Sequence, residues 1–135
     1  MKLSEKTVAD LMSTAVISVA PDTTLEAAHE EMLIADIRHL PIVDEKRRLI
    51  GIISDRDLRR ALGKHRHGKH KVAEFMSKDI ISVAPRTFAR EAAQLMLERK
   101  IGALPVLDDT LALVGIVTET DFLRLAFLAL GGIVT

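Results

Sequence analysis

The chain has 135 residues, 48% of them hydrophobic, which is enough to bury one core. Its 19 basic and 19 acidic residues cancel, so no overall electric field attracts the chain to nucleic acid or to an anionic membrane. The absence of cysteine excludes disulfides and thiolate chemistry, and with a charged N-terminus unlike a signal peptide it favours a cytoplasmic location.

The first half of the chain has the pattern of an α+β unit. Residues alternate up to Pro21, which ends a strand, and the spacing of Thr23 and Glu26 is that of a capping box. Apolar residues at helical intervals follow, and then two short apolar runs flank a charged turn. The pattern predicts, in order, a strand at 16–20, a helix at about 24–36, a hairpin of strands 40–43 and 49–53, and a helix from Ser54 to about Leu62.

The second half repeats the first. A shift of 64 residues places Val8 on Val72 without a gap, and about 22 of the 55 positions compared are identical, where unrelated stretches share only a handful. The repeat predicts strands at 104–107 and 113–117 and a last helix from Thr118 towards Leu130. Polar residues with glycines join the copies, so the predicted organisation is module 1 at 8–62, a linker at 63–71 and module 2 at 72–130.

One motif carries the chemistry, Gly51 to Asp57, and it recurs as Gly115 to Asp121. Its glycine allows a ligand to approach the strand backbone, and its Ser or Thr hydroxyl lies at a helix start, which favours phosphate. Its aspartate can accept two hydrogen bonds from vicinal hydroxyls such as those of a ribose. The same spacing is also close to a plain capping box, and a hydroxyl can cap a helix and still meet a ligand.

The chain resembles the CBS-domain family, in which two modules pair as a Bateman module. The resemblance rests on Met12-Ser13, on the Val19-Ala20-Pro21 step, on the strand from His39 to Asp44, and on the repeated glycine-to-aspartate motif. It implies an α+β tandem CBS-domain pair, two β-α-β-β-α modules related by a pseudo-two-fold axis. It also implies a non-catalytic regulatory role, such as energy sensing, with AMP, ADP, ATP or S-adenosylmethionine bound in clefts between the modules.

The resemblance also assigns site residues. Asp57 and Asp121 would hold ribose hydroxyls, with Ser54 and Thr118 near ribose or phosphate. Each cleft would mix the two copies, pairing Asp57 with Ile80, Ile81, Gly102 and Ala103, and Asp121 with Val16, Ile17, Arg38 and His39. Because aromatic residues are few, aliphatic side chains and backbone hydrogen bonds would hold the adenine.

The two copies differ in charge, so the clefts are predicted to be unequal. Phosphates should be drawn to the basic group of the first copy. The contrast is between Arg38, His39 and Arg56 in the first copy and Gly102, Ala103 and Thr120 in the second.

Several other functions are weighed. Asp57 and Asp121 occupy matching positions in the repeat and are expected to have similar surroundings, unlike a catalytic acid and base, which need different ones. The linker histidines His65, His67 and His70 could ligate a metal, but a solvated loop explains them more simply. The same basic linker lacks the aromatic residues that nucleic-acid binding commonly uses. A protein-interaction module with no ligand remains open.

The last helix predicts self-association. Residues 122–130 are apolar nearly all round, which a helix facing solvent would not be. The family precedent of two Bateman modules forming a disc implies a homodimer with these helices in the interface. A separate effector protein would receive the signal, since the sequence shows no effector domain of its own.

Overall fold

The fold was analysed in a computed structural model, which describes residues 2–65 and 69–133. The centre of the predicted linker, with the candidate metal ligand His67, lies outside the described residues. The helices and strands are α1 (Val8–Leu11), α2 (Leu25–Ala35), β1 (His39–Val43), β2 (Leu49–Ser54), α3 (Asp55–Lys64), α4 (Ala89–Arg99), β3 (Ala103–Leu107), β4 (Leu113–Thr118) and α5 (Glu119–Ala129). Short 3-10 turns lie at Leu3–Glu5 and Val72–Glu74. The predicted α+β class is confirmed.

Each repeat places two paired strands between two helices. Strands β1 and β2 form an antiparallel hairpin in which His39 is opposite Ser54, and β3 pairs with β4 in a second two-stranded sheet. The turn of the first hairpin is closed by Asp44, whose carboxylate accepts the N–H groups of Lys46 and Arg48. This arrangement brings the end of β2 beside the start of β1.

Helix α2 begins one residue later than its predicted cap. The side chain of Thr24, not Thr23, accepts the N–H of Ala27 at 3.1 Å, so the predicted capping box of Thr23 and Glu26 is wrong. Thr23 instead lies in a turn, where its N–H donates to Ala20. Thr23 and Thr24 both have a hydroxyl that can cap a helix. Because the turn after Pro21 includes Thr23, Thr24 is the residue that caps α2.

The predicted first strand is reduced to a single bridge. Val19 donates its N–H to Pro41 at 3.1 Å and accepts the N–H of Val43 at 3.0 Å, while the rest of 16–20 is not in a strand. Pro21 has no N–H to extend the ladder, and the chain turns immediately after it. Val83 forms the matching bridge with Val106 in the second repeat.

The segment at the start of each repeat is joined to the other repeat by backbone hydrogen bonds. We call residues 6–16 and 70–80 the leading segments. In the first, Val8 donates its N–H to Thr87 at 2.8 Å, and Ala89 donates to Lys6 at 2.8 Å, at the start of α4. In the second, the matching bond runs from Val72 to the Thr23 carbonyl at 2.8 Å, before α2. The leading segments are therefore exchanged between the repeats.

The exchanged segments also extend the two hairpins. Ser13 forms an antiparallel bridge with Ile116 of β4, and Ser77 forms the same bridge with Ile52 of β2. Both backbone hydrogen bonds of each bridge are 2.8–3.1 Å long. Each two-stranded sheet thus gains a short third partner from the other repeat.

Because of this exchange, the chain forms two compact units that differ from the repeats. Unit 1 comprises Met1–Val16, Ile81–Asp109 and Val114–Thr135, and unit 2 comprises Ile17–Ile80 and Thr110–Leu113. Val72 is fully buried in the core of unit 2, and Val8 is fully buried in the core of unit 1. Burying a valine side chain contributes about 1.5–3 kcal/mol, so the exchange stabilises both cores.

Two carboxylates at matching positions cap the leading segments. Asp10 accepts the N–H of Thr7 at 2.8 Å, and Glu74 accepts the N–H of Lys71 at 2.6 Å. These backbone hydrogen bonds hold the pKa of Asp10 and that of Glu74 below their ordinary values. The hydrogen bond from His70 lowers the pKa of Glu74 further.

Acid should therefore weaken the exchange. A carboxylate with a lowered pKa in the folded state contributes stability at neutral pH, and this stability is lost as the pH falls below about 4. We expect the urea midpoint of the wild type to drop more steeply between about pH 7 and pH 3.5 than that of the Asp10→Asn/Glu74→Gln double variant. Equal slopes for the two proteins would contradict this expectation.

Candidate ligand-binding site

The first copy of the motif lies where strand β2 turns into helix α3. Ser54 is the N-cap residue, and its Oγ accepts the N–H of Asp57 at 3.1 Å. Asp55, the residue after Ser54, donates its N–H to the Arg38 carbonyl at 2.7 Å. Since His39 is opposite Ser54 in the hairpin, the structure brings five of the predicted site residues to this junction: Arg38, His39, Ser54, Arg56 and Asp57.

The Asp57 carboxylate is open to a ligand. Its side chain is exposed, and among the described residues it has no hydrogen-bond or ion-pair partner. Arg38 and Arg56 are also exposed, and neither has an ion-pair partner within the described residues. Within the described part of the chain, the start of α3 therefore combines a carboxylate and guanidinium groups that have no side-chain partner with the positive end of a helix dipole.

The second copy of the motif is arranged differently. Glu119 donates its N–H to the Gly102 carbonyl at 3.1 Å, which matches the first junction and places Gly102 and Ala103 beside Thr118. The Asp121 carboxylate, however, accepts the Thr118 N–H at 2.8 Å and its hydroxyl at 3.3 Å. Asp121 also forms an ion pair with Arg124, in which its Oδ1 atom lies 3.6 Å from the Nη1 atom of the guanidinium. The Asp121 carboxylate is therefore already bonded within α5, and a ligand would have to share it.

The motif glycines accommodate methionine side chains. A Cβ atom on Gly51 would overlap the Met76 thioether, and one on Gly115 would lie 2.6 Å from the Met12 Sδ atom. Both methionines belong to the exchanged leading segments. The structure therefore explains these glycines by close packing with Met12 and Met76, and the approach of a ligand to the strand backbone there stays a prediction.

The predicted apolar contacts are divided between the units. Ile80 lies in unit 2 with Asp57, and Val16 lies in unit 1 with Asp121. Ile17 lies in unit 2, and Ile81 packs against the core of unit 1. Thr120 is exposed in the first turn of α5. The exchange thus places one predicted adenine contact from the other repeat in the same unit as each aspartate.

A groove beside Asp121 contains residues that no sequence pattern predicts. It has a volume of about 400 Å³ and lies within unit 1, between the N-terminal residues and α5. Lys6, Asp10 and Arg124 contribute charges to it. Arg124 follows Asp121 by three residues, and because residues at this spacing are neighbours on a helix, the sequence pattern could have predicted Arg124 beside Asp121. Nothing in the local pattern places Lys6 or Asp10 there, since they reach α5 only through the exchange.

The linker histidines that the structure describes are packed against an aromatic ring. The rings of His65 and His70 lie 4.4 Å apart, and that of His65 is 5.0 Å from the ring of Phe75. Among residues 2–65 and 69–133, no group of three or more His, Cys, Asp or Glu side chains is placed to hold a metal ion. The same residues contain no helix long and apolar enough to cross a membrane.

Comparison with protein families agrees with the repeat. The model of the CBS domain matches residues 8–64 and again 72–127. The chain belongs to the CBS domain family. Its predicted assignment as a tandem CBS-domain pair is thereby confirmed.

Curated relatives carry the pair alone or within larger proteins. A CBS domain-containing protein of Dictyostelium discoideum is 36% identical in an alignment 129 residues long, gaps included, which covers 87% of this chain and 89% of the relative. An inosine-5'-monophosphate dehydrogenase of Methanocaldococcus jannaschii is 36% identical over 109 residues, covering 81% of this chain and 21% of the enzyme. The CBS pair therefore spans about a fifth of that relative.

Three solved structures with the same fold are complexes with adenosyl ligands. The pair of protein MJ0100, in complex with 5'-methylthioadenosine and S-adenosyl-L-methionine, has a TM-score of 0.84 and 31% identity, covering 92% of this chain and 98% of that one. CBSX2 in complex with AMP has a TM-score of 0.80, 30% identity and the same coverages. The cytosolic domain of the Mg2+ channel MgtE, in complex with ATP, has a TM-score of 0.78 and 33% identity, covering 90% and 49%.

The contact between glycine and methionine predicts a stability effect in both CBS modules. Gly51→Ala should lower the free energy of unfolding by about 1–3 kcal/mol, because the added methyl group overlaps Met76 in a filled site. The matched control is Gly63→Ala in α3, where no atom lies within 4 Å of the new Cβ. That change should be neutral or stabilise by up to about 1 kcal/mol. Equal urea midpoints for the two variants would contradict the packing explanation.

The two aspartates should differ in their effect on the ligand-free protein. Asp121→Ala removes the acceptor of the Thr118 N–H and should destabilise by about 1 kcal/mol. Asp57→Ala keeps the backbone N–H that donates to the Ser54 hydroxyl, so it should lower the free energy of unfolding by less than about 0.5 kcal/mol. Chemical denaturation without ligand measures both. A larger loss for Asp57→Ala than for Asp121→Ala would show that the contacts are assigned wrongly.

Proposed function

We propose that this CBS pair is a non-catalytic regulatory module that binds an adenine nucleotide or another adenosyl ligand, with Asp57 as its main ribose acceptor. The observation that carries the proposal is the exposed Asp57 carboxylate at the start of α3, with no partner among the described residues. The related pairs in complex with AMP, ATP, 5'-methylthioadenosine and S-adenosylmethionine support the ligand class.

The ligand would be held by residues that unit 2 already contains. Asp57 accepts the two ribose hydroxyls, and charge-assisted bonds of this kind contribute about 1.5–3 kcal/mol each. Ser54 lies beside the ribose, and Ile80 supplies an apolar contact to the adenine. Arg38, which has no ion-pair partner among residues 2–65 and 69–133, provides a cation for a phosphate group.

The copy of the motif in unit 1 offers a weaker position. A ribose at Asp121 competes with the Thr118 N–H and with Arg124 for the same carboxylate. Thr118 and Val16 lie in the same unit for this second ligand. The other predicted contacts stay predictions. For the ligand at Asp57 they are Ile81, Gly102 and Ala103, and for the ligand at Asp121 they are Ile17, Arg38 and His39, with Thr120 in the first turn of α5. The roles of His39 and Arg56 as phosphate ligands also stay predictions.

The module regulates without catalysis. The Ser54 hydroxyl accepts the Asp57 N–H, an arrangement that caps a helix and supplies no general base to the hydroxyl. The module acts as a homodimer in the cytoplasm and signals to a separate effector protein. Its CBS relatives within longer enzymes support a role as a part that serves another activity.

A panel of ligands tests the proposal. AMP, ADP, ATP and S-adenosylmethionine are added to the wild type, to Asp57→Ala and to Asp121→Ala, and thermal unfolding and calorimetric binding are measured. A ligand at 100 times its dissociation constant should stabilise the wild type by about 2.7 kcal/mol. Asp57→Ala should weaken binding at least about tenfold, and Asp121→Ala should weaken it less, because its carboxylate is already engaged.

Matched controls come from the repeat itself. Asp55 and Glu119 are acidic residues in the first turns of α3 and α5, two positions before the motif aspartates. Asp55→Ala and Glu119→Ala should bind like the wild type. A further variant, Arg38→Gln, should weaken AMP and ATP but spare S-adenosylmethionine, which has no phosphate. No ligand shifting the wild type, or both motif variants binding normally, would overturn the proposal.

A ligand-free interaction module is the second candidate. The exposed apolar residues of α5 favour it, because they indicate a protein surface and need no small ligand. This candidate requires that none of the four ligands shifts the melting temperature while the chain still forms a dimer. The same panel, with molar mass measured by light scattering, separates the two candidates.

A further inference from the structure

The aromatic cluster of unit 2 and the groove of unit 1 lie at matching places in the repeat. In each unit the place is bounded by the end of the last helix and by the leading segment that the unit contains. A carboxylate caps that leading segment at the same position, Asp10 in one copy and Glu74 in the other. The shift of 64 residues makes three correspondences: Lys6 with His70, Leu11 with Phe75, and Ala129 with His65.

Three rings fill this place in unit 2. The ring centroids of His65 and His70 are 4.4 Å apart, and that of Phe75 lies 5.0 Å from the first and 5.9 Å from the second. Phe75 also packs against the core of unit 2. Contacts at these distances are typical of favourable ring pairs, so the cluster joins the end of α3 to the leading segment.

Unit 1 has no ring at any of the three positions. Lys6, Leu11 and Ala129 line the groove instead, and its volume of about 400 Å³ is within the range of small-molecule sites, about 300–1,000 Å³. Leu125 adds an apolar wall, and like Leu11 it is half-buried. The repeat itself therefore indicates what kind of group suits this place, since its other copy fills it with flat rings.

Both carboxylates that border the groove are already engaged. Asp10 accepts the N–H and the hydroxyl of Thr7, at 2.8 and 3.1 Å. Asp121 accepts the N–H of Thr118 at 2.8 Å, and its second oxygen is paired with Arg124. The negative charges of the groove are thus partly neutralised within unit 1.

The cations of the groove keep hydrogen-bond donors for a ligand. The Lys6 ammonium has no hydrogen-bond or ion-pair partner within residues 2–65 and 69–133. Arg124 uses one terminal nitrogen, Nη1, for Asp121, which leaves the rest of its N–H donors for a ligand. The groove therefore suits a group with one negative charge, held next to apolar walls.

We propose that the groove of unit 1 binds a small aromatic carboxylate. The ring lies among Leu11, Leu125 and Ala129, in the place that the aromatic cluster fills in unit 2. The carboxylate lies at Lys6 and Arg124, where its single charge matches the single unpaired ammonium. The main ribose acceptor of the proposed function lies in unit 2, so this second site goes beyond that function.

The class of ligand is tested with cinnamate, a flat ring that carries one carboxylate. Isothermal calorimetry should show one site per chain, with a dissociation constant below about 1 mM. The matched compounds are cinnamyl alcohol, which has the ring without the charge, and octanoate, which has the charge without the ring. Each should bind at least about tenfold more weakly. No binding of cinnamate, or equal or tighter binding of either matched compound, would overturn the proposal.

The rings of unit 2 supply a variant that fills the groove. Lys6→His/Leu11→Phe/Ala129→His copies the aromatic cluster into unit 1 and should abolish binding of cinnamate, because the rings occupy its place. Ala129 is exposed, so Ala129→His alone should keep the melting temperature of the wild type and weaken binding about tenfold. The single variant decides the test if the triple variant fails to fold, and unchanged binding by a folded variant of either kind contradicts the site.

Charge variants test the position of the carboxylate. Lys6→Gln should weaken cinnamate binding about tenfold or more, and it keeps the backbone carbonyl that accepts the N–H of Ala89. Arg124→Gln should weaken it severalfold. The matched control is Arg60→Gln, at the position of α3 that corresponds to Arg124, and it should bind like the wild type. No loss with Lys6→Gln, or an equal loss with Arg60→Gln, would place the ligand outside the groove and overturn the proposal.

The outcomes also separate this site from the ribose site. Cinnamate binding is measured again on Asp57→Ala, and on the wild type saturated with the best adenosyl ligand of the panel. Both should bind cinnamate with an unchanged dissociation constant. Displacement by the adenosyl ligand would show a shared site and overturn this inference, whereas a wild type that binds cinnamate but none of the four adenosyl ligands would overturn the ribose site alone.

Discussion

Val8 and Val72 each fill the core of the unit that the other repeat mainly builds, and neither core is complete without its exchanged valine. The backbone of each leading segment also closes the turn before α2 or α4 and adds a bridge to one hairpin. Packing and hydrogen bonding therefore depend on the same exchange. A single repeat lacks both, which is why the duplicated chain is the unit of folding.

The position of the candidate ligand site follows from this exchange. The bridge between Ser77 and Ile52 brings Met76 over Gly51, and this contact requires the glycine. Strand β2 ends at Ser54, three residues after Gly51, so the helix start and Asp57 are held relative to a packed strand. Ile80, further along the same leading segment, enters unit 2 in this way. The exchange thus brings the glycine-to-aspartate motif of one repeat and an apolar residue of the other into the same unit.

Local patterns predict helices α2, α3 and α5, both hairpins and the repeated motif at the helix starts, because these depend on neighbours in the sequence. They do not predict α1, and the strand that they predict at 16–20 is a single bridge at Val19. Local patterns were insufficient where a distant residue decides. The reason for Gly51 depends on Met76, and the cap of α2 depends on the turn after Pro21. The difference between the two aspartates was also hidden, since the motif letters match while Asp121 caps its helix and Asp57 does not.

The exchange sets an order of assembly during synthesis. Unit 2 draws most of its residues from 17–80, so its core can close once the leading segment at 70–80 has left the ribosome. Unit 1 needs Val8 from the beginning of the chain and Val117 from near its end. Contacts so far apart in sequence form slowly. Val8 is therefore made well before Val117, with which it shares a core, and until that core closes we expect Val8 to be exposed to water.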